Sequence, residues 1–399
     1  MLRSAGLIVI VVFAASCGGP TKEKCDAVTC SSGCCDALGE CQGGFDSSAC
    51  GAPGGVCTAC GTDQLCSFGI CIGGSSGGGG GASGGGTGGG ATGGGTGGGA
   101  TGGGGMTGGG AGDAGVPSCT NITGDRRTQV CLRWTCDRAD MNEGTWNGSV
   151  AACMPGDLTA AARANALKIL NTYRFVADLP PVTTNPTRDT AAQECALIQD
   201  AANMLSHTPD AGTPCYTAIG ASAAGNSNIS SAAAVRSIDM YMSDFGNSTT
   251  MGHRRWFLSN TLGPVGIGGT TGASCHWVIG GSGTATKRFM AWPPPGPVPL
   301  QAIAIPTVGT GNSVDRTGWT VQTYATADNL ANATITVTDN GTSLPVTINA
   351  LGANYGSRSA VRFVPMGWTS QAGHSYVVTV TSPTMTTPIT YTVDVVTCP

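Results

Sequence analysis

The sequence predicts a multidomain chain: a compact mixed α/β unit, then a C-terminal antiparallel β-sandwich, preceded by a disulfide-rich knot and a disordered glycine-rich linker. Three observations predict it. Cysteines are dense where apolar residues are sparse, glycine is concentrated in one run, and apolar periodicity changes from helical spacing to alternation near Met290. The boundaries read as 1–17 for an export signal, 18–72 for the knot, 73–117 for the linker, 118–282 for the α/β unit and 283–399 for the sandwich.

The chain has 399 residues, a net charge of −4 and only 11% charged residues, so it offers no basic field for nucleic acid. Nineteen cysteines place it in an oxidising compartment. Met1-Leu2-Arg3 is a short positive leader, and the apolar core from Gly6 to Ala15 is too short to span a bilayer comfortably. It ends in Ala14-Ala15-Ser16-Cys17, which resembles a bacterial lipobox, with Cys17 as the thiol that takes a diacylglycerol. The alternative is an ordinary cleaved signal with Cys17 left for a disulfide. Acylation of Cys17 leaves eighteen cysteines, an even number for pairing. Gly18 gives no signal for retention at an inner membrane. The expectation is a lipoprotein of the outer membrane or cell surface, or an extracellular bacterial protein, whose membrane contact is the anchor at Cys17.

Residues 25–71 hold ten cysteines with little else to bury, so disulfides must supply the stability. Cys57-x2-Cys60 has the spacing of a zinc pair, but the segment contains no histidine and disulfides are expected. The glycine run has no side chains to offset its ordering entropy and reads as a coil with a reach of about 35 Å. Its G-x-S-x-G matches around Ser75 and Ser83 lack the strand and helix that a nucleophile elbow requires.

Within the α/β unit a helix reads from Asp157, with Leu158, Ala162, Ala166, Ile169, Leu170 and Tyr173 on one face and Pro180-Pro181 beyond its end. A second starts near Pro186 with Ala191, Cys195, Ile198, Ala202 and Leu205 inward, and a third covers about 231–242. Strands follow at 265–268 and 276–279. After Met290, alternation marks strands at 334–338, 345–349, 360–364, 376–381 and 390–396, with Asn340-Gly341 as a hairpin turn between the first two. The plan is immunoglobulin-like. Ala291-Trp292 and the three prolines after it read as a stiff entrance to the sandwich.

Three segments, LNTYRFVADLPPV at 170–182, AAQECALIQDAANMLSHTP at 191–209 and GHRRWFLSNTLGPVGIG at 252–268, together resemble the CAP/SCP superfamily of cysteine-rich secretory, antigen 5 and pathogenesis-related proteins. Asn171 and Arg174 match its N-x-x-R, Leu179-Pro180-Pro181 its turn, Ser206-His207 its S-H and Gly252-His253-Arg254 its G-H-R. The resemblance covers roughly 160–282 and implies an α-β-α sandwich with a cavity of two histidines and two acidic residues that holds a divalent metal in some relatives. His207 and His253 fall on the histidine positions. The acidic positions depart: Gly225-Asn226-Ser227-Asn228-Ile229 carries Ser227 where the family has Glu, and Asp239 or Asp244 would have to supply the second.

These residues leave three readings. His207 and His253 brace the helices from inside a packed cavity; or with Asp239 they hold zinc weakly; or with Ser227 they form a hydrolytic pair. His276, beside Trp277, reads as a packing residue and His374 as a solvated turn residue. Arg254-Arg255 read as a solvated corner. Cys195 and Cys215 bracket the loop that carries His207, and their pairing would staple it; Cys275 and Cys398 are a second expected pair. The functional expectation is non-catalytic binding of an apolar small molecule (a lipid or sterol) or of a partner protein. The alternative is a secreted hydrolase or metal-dependent enzyme using the two-histidine cavity.

Overall fold

In a computed structural model the described residues are 25–26, 34–42, 45–46, 49–51, 55–61, 65–67, 70–72, 119 and 122–398. Cys17 with its lipobox and the glycine run of 73–117 lie outside them. The chain divides into two compact units, Met1–Gly74 and Ser75–Pro399.

In the first unit, three short antiparallel ladders pair Cys34–Cys35 (β1) with Cys41–Gln42 (β2), Phe45–Asp46 (β3) with Ala49–Cys50 (β4), and Leu65–Ser67 (β5) with Ile70–Ile72 (β6). Disulfides Cys25–Cys35, Cys34–Cys57 and Cys60–Cys71 hold it. Cys57 and Cys60 therefore take different sulfur partners, which agrees with the disulfide expectation for this segment.

The second unit opens with α1 (Arg126–Asp137), capped by the Asp125 carboxylate on the Thr128 amide. Helix α2 (Ala160–Val176) starts three residues after Asp157, because Thr159 caps it instead. Its expected face is buried throughout, from Ala162 to Tyr173. Helix α3 (Pro186–Ala202) has Asn185 as cap, Pro186 in its first turn, and left-handed Asn203 at its end. Then come α4 (Ala218–Asn226), β7 (Ser227–Ser230), α5 (Ala234–Ser243), α6 (Gly252–Phe257), β8 (Gly266–Gly269) and β9 (Ser274–Trp277).

The strands form an antiparallel sheet of order β7-β9-β8 with helices on both faces. Glycines make this contact possible. A Cβ at Gly268 would lie 2.2 Å from the backbone of Ala192 and Gln193 on α3, and one at Gly266 would lie 2.4 Å from Arg188 O. Only glycine admits so close an approach of strand to helix. Gly269 faces Ala234 of α5 on the opposite side. Cys275 on β9 points to α3, and its neighbour His276 points to Ser237 of α5.

The remainder builds two further sheets. One is four-stranded, of order β10 (Phe289–Trp292), β12 (Trp319–Thr323), β16 (Ser359–Pro365) and β15 (Val346–Ala350); short helices α7 (Leu300–Ala304) and α8 (Val314–Thr317) precede β12. The other is five-stranded, of order β11 (Gly296–Pro299), β18 (Ile389–Val396), β17 (Ser375–Thr381), β13 (Thr334–Asp339) and β14 (Thr342–Leu344). Rings from the two sheets meet: Trp319 with Tyr376 at 5.8 Å and Phe289 with Tyr391 at 5.5 Å. The five-stranded sheet is mixed rather than antiparallel, since β11 runs parallel to β18. Asn340 and Gly341, both at positive φ, turn β13 into β14; the strand expected as the hairpin partner, now β15, crosses to the other sheet.

Ala291-Trp292, expected as the stiff entrance to the sandwich, is a buried part of strand β10, paired with β12. One apolar core runs from Val130 and Trp134 through Tyr173, Ile238 and Phe257 to Trp292, Trp319 and Val395. Tyr173 and Trp292 meet edge to face at 5.3 Å across the seam, a geometry worth about 0.5–1.5 kcal/mol beyond burial.

Neither expected long-range cysteine pair forms. Cys195, fully buried on the sheet side of α3, bonds Cys275. Cys215, in the surface loop after His207, bonds Cys153. Cys398 bonds Cys131 of α1, so the end of the chain is tied to the first helix of the unit. The reason is directional: a cysteine on the sheet face of α3 cannot also reach an outer loop. Each of these bridges closes 60 residues or more, for which loop entropy gives about 4 kcal/mol.

Candidate functional site

Five segments converge on a cavity of about 450 Å³ lined by His207, Ser227, Asn228, His253, Ile279 and Tyr355 among others. Helix α4 runs directly into β7 and delivers Ser227 at the junction. The second turn of α6 places Trp256, and its second residue is His253. His207 lies five residues beyond the end of α3. Its loop is fixed by Gln199, whose side chain accepts from Ser206 N at 2.7 Å and donates to Ser206 O at 2.9 Å.

The two imidazoles are held differently. His207 Nδ1 is 2.8 Å from Ala224 O, and since a carbonyl only accepts, Nδ1 is the donor. The ring sits at the exposed rim, not inside a packed cavity. His253 Nδ1 donates to Asp244 Oδ1 at 2.8 Å, and the Asp244 side chain is completely buried. Asp244 stands at the left-handed cap of α5, with its second oxygen on the Arg254 amide and Asn247 on its first. Tyr241 lies 5.1 Å from the His253 ring. Ser227 shares the cavity, but its Oγ is buried and bonds neither imidazole. Ser227 and His253 therefore share the cavity, with Asp244 buried behind His253, but the three are not joined into a chain.

Asp239 is elsewhere. Its carboxylate is buried against α1 and α2, bridged by both Arg138 nitrogens and accepting from the Tyr173 hydroxyl at 2.7 Å and from Thr307. Burial beside that carboxylate pushes the Tyr173 ionisation well above its usual range. The five-residue spacing between Asp239 and Asp244 turns the two carboxylates to different sides of α5. So the zinc set of His207, His253 and Asp239 is not assembled. Among the described residues, the group of three or more His, Cys, Asp or Glu whose ligating atoms lie within 4.8 Å is Cys50, Cys60 and Cys71, all in disulfides.

A second groove of about 380 Å³ begins at His253 and runs along α5, lined by Leu205, Ile229, Met240, Tyr241, Phe245 and Val308. Leu205 and Phe245 stand at its mouth, 43% and 68% exposed. The Tyr241 hydroxyl is buried among the serines Ser230, Ser237 and Ser274, and burial raises its ionisation far beyond the neutral range. The groove thus combines apolar walls with polar groups, Ser230, Ser231, Ser243 and Asn312, and with Arg236 as its one cation beside the histidine.

Arg254 and Arg255 correct a sequence expectation: neither is solvated. Arg254 is fully buried and donates to Met242 O, Ser243 O and Gly318 O and to Thr317 Oγ1. Arg255 donates to Thr250 O, Gly352 O and Ser357. These struts join α6 to the loops of the two-sheet lobe. Burial lowers both guanidinium groups to about 10, still charged at neutral pH. The N-x-x-R pair is also a clamp. Asn171 makes two bonds to Val182, and Arg174 reaches Pro180 O, Phe257 O and Ser259 O. The available signal was that two arginines stand in an apolar run of a chain with few charges. His276 is a packing residue as expected, fully buried with Nε2 on Ser237 Oγ, and burial lowers its ionisation to about 3. His374 is half-exposed but pairs with Asp339 at 2.6 Å.

Comparison with protein-family models, curated proteins and solved structures finds no match to the chain.

Proposed function

We propose that this chain is an exported, lipid-anchored surface protein whose helical lobe is a CAP/SCP-type domain backed by an immunoglobulin-like sandwich, and that it binds an apolar small molecule without transforming it. The observation that carries the reading is the groove beside His253, with Leu205 and Phe245 at its mouth, Ile229, Met240 and Val308 along it, and the His253 imidazole and Arg236 guanidinium among its polar lining groups. Such a shape suits an amphiphile with a long apolar body and one hydrogen-bonding head. The seven disulfides described, and the absence among the described residues of a helix long and apolar enough to cross a membrane, fit export with an anchor.

The test is a titration of the full chain with cis-parinaric acid and with dehydroergosterol, followed by their fluorescence. Saturable binding of either probe, weakened at least about tenfold by Phe245→Asp, is expected. No binding of either probe, with pull-down of a protein through the same face, would move the reading to a partner protein.

A second reading, hydrolysis, draws on one observation: the Asp244–His253 pair shares a cavity with Ser227. Labelling of the full chain by a fluorophosphonate, lost in Ser227→Ala, would favour it over simple binding.

A further inference from the structure

A different groove, of about 910 Å³, lies where α6 meets the two-sheet lobe, lined by Trp256, Tyr324, Asn329, Asn354, Ser357 and Arg358 among others. Its size is within the range of about 300–1,000 Å³ for small-molecule sites. Its chemistry is unlike that of the apolar groove. Amides and hydroxyls line it beside two aromatic rings; no carboxylate is among its lining residues, and Arg358 is their one cation.

The walls are built to stay in place. The Tyr324 hydroxyl bonds Ser259 and Gly356 O and lies 3.3 Å from Thr261 Oγ1, which fixes its ring. The buried Arg255 guanidinium holds Gly352 O and Ser357 on the loop that forms the opposite wall. Gly356, at φ +65°, lies so close to α6 that a Cβ would stand 2.5 Å from Arg255 O. Asn329 Oδ1 is fixed by the Ala331 amide and by Ser359. By contrast, Arg358 is exposed, and among the described residues it has no ion pair or hydrogen bond. A preorganised site loses little on binding, and an unpaired guanidinium at its edge is available to an anion.

We infer that this groove binds an oligosaccharide carrying an acidic sugar, with the pyranose faces against Trp256 and Tyr324, ring hydroxyls on the amide and hydroxyl side chains, and the sugar carboxylate at Arg358. Sugars present both C–H faces and dense hydroxyls, which this mixture of rings, amides and hydroxyls matches. Nucleic acid would need several cations where there is one. A lipid chain would strip water from the exposed Asn354 amide and from the Asn329 Nδ2 group without replacing it. The inference does not depend on the apolar groove, which has no lining residue in common with this one.

The experiment is calorimetric titration of the full chain with three hexaoses, one neutral, one N-acetylated and one built of uronic acids, alongside a mixed-sequence decapeptide. The uronic hexaose is expected to bind with Kd below about 1 mM. Arg358→Glu should weaken it at least about tenfold while leaving binding of the neutral hexaose within about twofold. Trp256→Ala should abolish binding of all the hexaoses. Because Trp256 also borders the two-histidine cavity, Asn354→Gly, which keeps the left-handed backbone and removes only the amide, provides a second variant and should weaken every hexaose. No hexaose binding at millimolar concentration, binding indifferent to Arg358→Glu and Asn354→Gly, or binding of the peptide alone would overturn the inference. Parinaric acid binding unchanged in the same variants separates failure here from failure of the apolar groove.

Discussion

The two histidines of the cavity lie on walls of opposite character. His253 belongs to a helix, its Nδ1 is held by a fully buried carboxylate, and Tyr241 packs on its ring. His207 belongs to a loop, is exposed, and is held by one backbone carbonyl. The helix wall is continuous with the struts of Arg254 and Arg255, so it moves only if the seam between the lobes moves. The loop wall is tied through Gln199 nearby and through the Cys153–Cys215 bridge, which spans 62 residues.

The largest expected effect sharpens the rigid side. Arg254→Leu removes the donor from three backbone carbonyls and should lower unfolding free energy by about 3–5 kcal/mol in chemical denaturation. The exposed Arg358→Leu should stay within about 0.5 kcal/mol. Equal effects would mean that the seam does not depend on the strut. Next, His253→Ala should cost about 1 kcal/mol, since it removes one donor from buried Asp244 while the Arg254 amide and Asn247 remain, and His207→Ala less than about 0.5 kcal/mol. The reverse order of melting shifts would break the contrast between the walls.

A smaller effect depends on pH. Burial holds His276 neutral with its ionisation at about 3 against an ordinary 6.5. The stability it confers is therefore complete above pH 6.5 and is lost as pH falls from there toward 3. His276→Gln, which cannot take up a proton in the unfolded chain, should flatten the fall in melting temperature across that window. An unchanged slope would assign acid lability to other groups.

Much of this was legible in local pattern. The helical face of α2, that of α3 from Ala191 to Ile198, the start at Pro186 and the Asn340-Gly341 turn are decided by nearest neighbours along the chain and appear where sequence places them, whereas Leu205, expected inward on the second helix, lies beyond its end and is exposed. What depended on tertiary direction was not legible. Cys195 and Cys215 are twenty residues apart and bracket His207, yet one faces the sheet and the other faces a loop. Asp239 and Asp244 are five residues apart, and only the exact end of α5 decides which of them reaches His253. Arg254-Arg255 looked like surface because charge usually is; their backbone acceptors, some about 100 residues away, leave no trace in local sequence. The mixed sheet follows from the same cause, since a parallel partner for β18 comes from a short proline-flanked segment with no alternation.

The central claim is that the groove beside His253 is the binding surface, and the four histidines of the chain allow it to be read directly by nitrogen NMR of their imidazoles. On titration of the full chain with parinaric acid, the His253 Nε2 resonance should move with the saturation of binding, while those of His207, His276 and His374 stay in place. Binding without any shift at His253, or with the shift at His207 alone, would contradict the assignment of the groove.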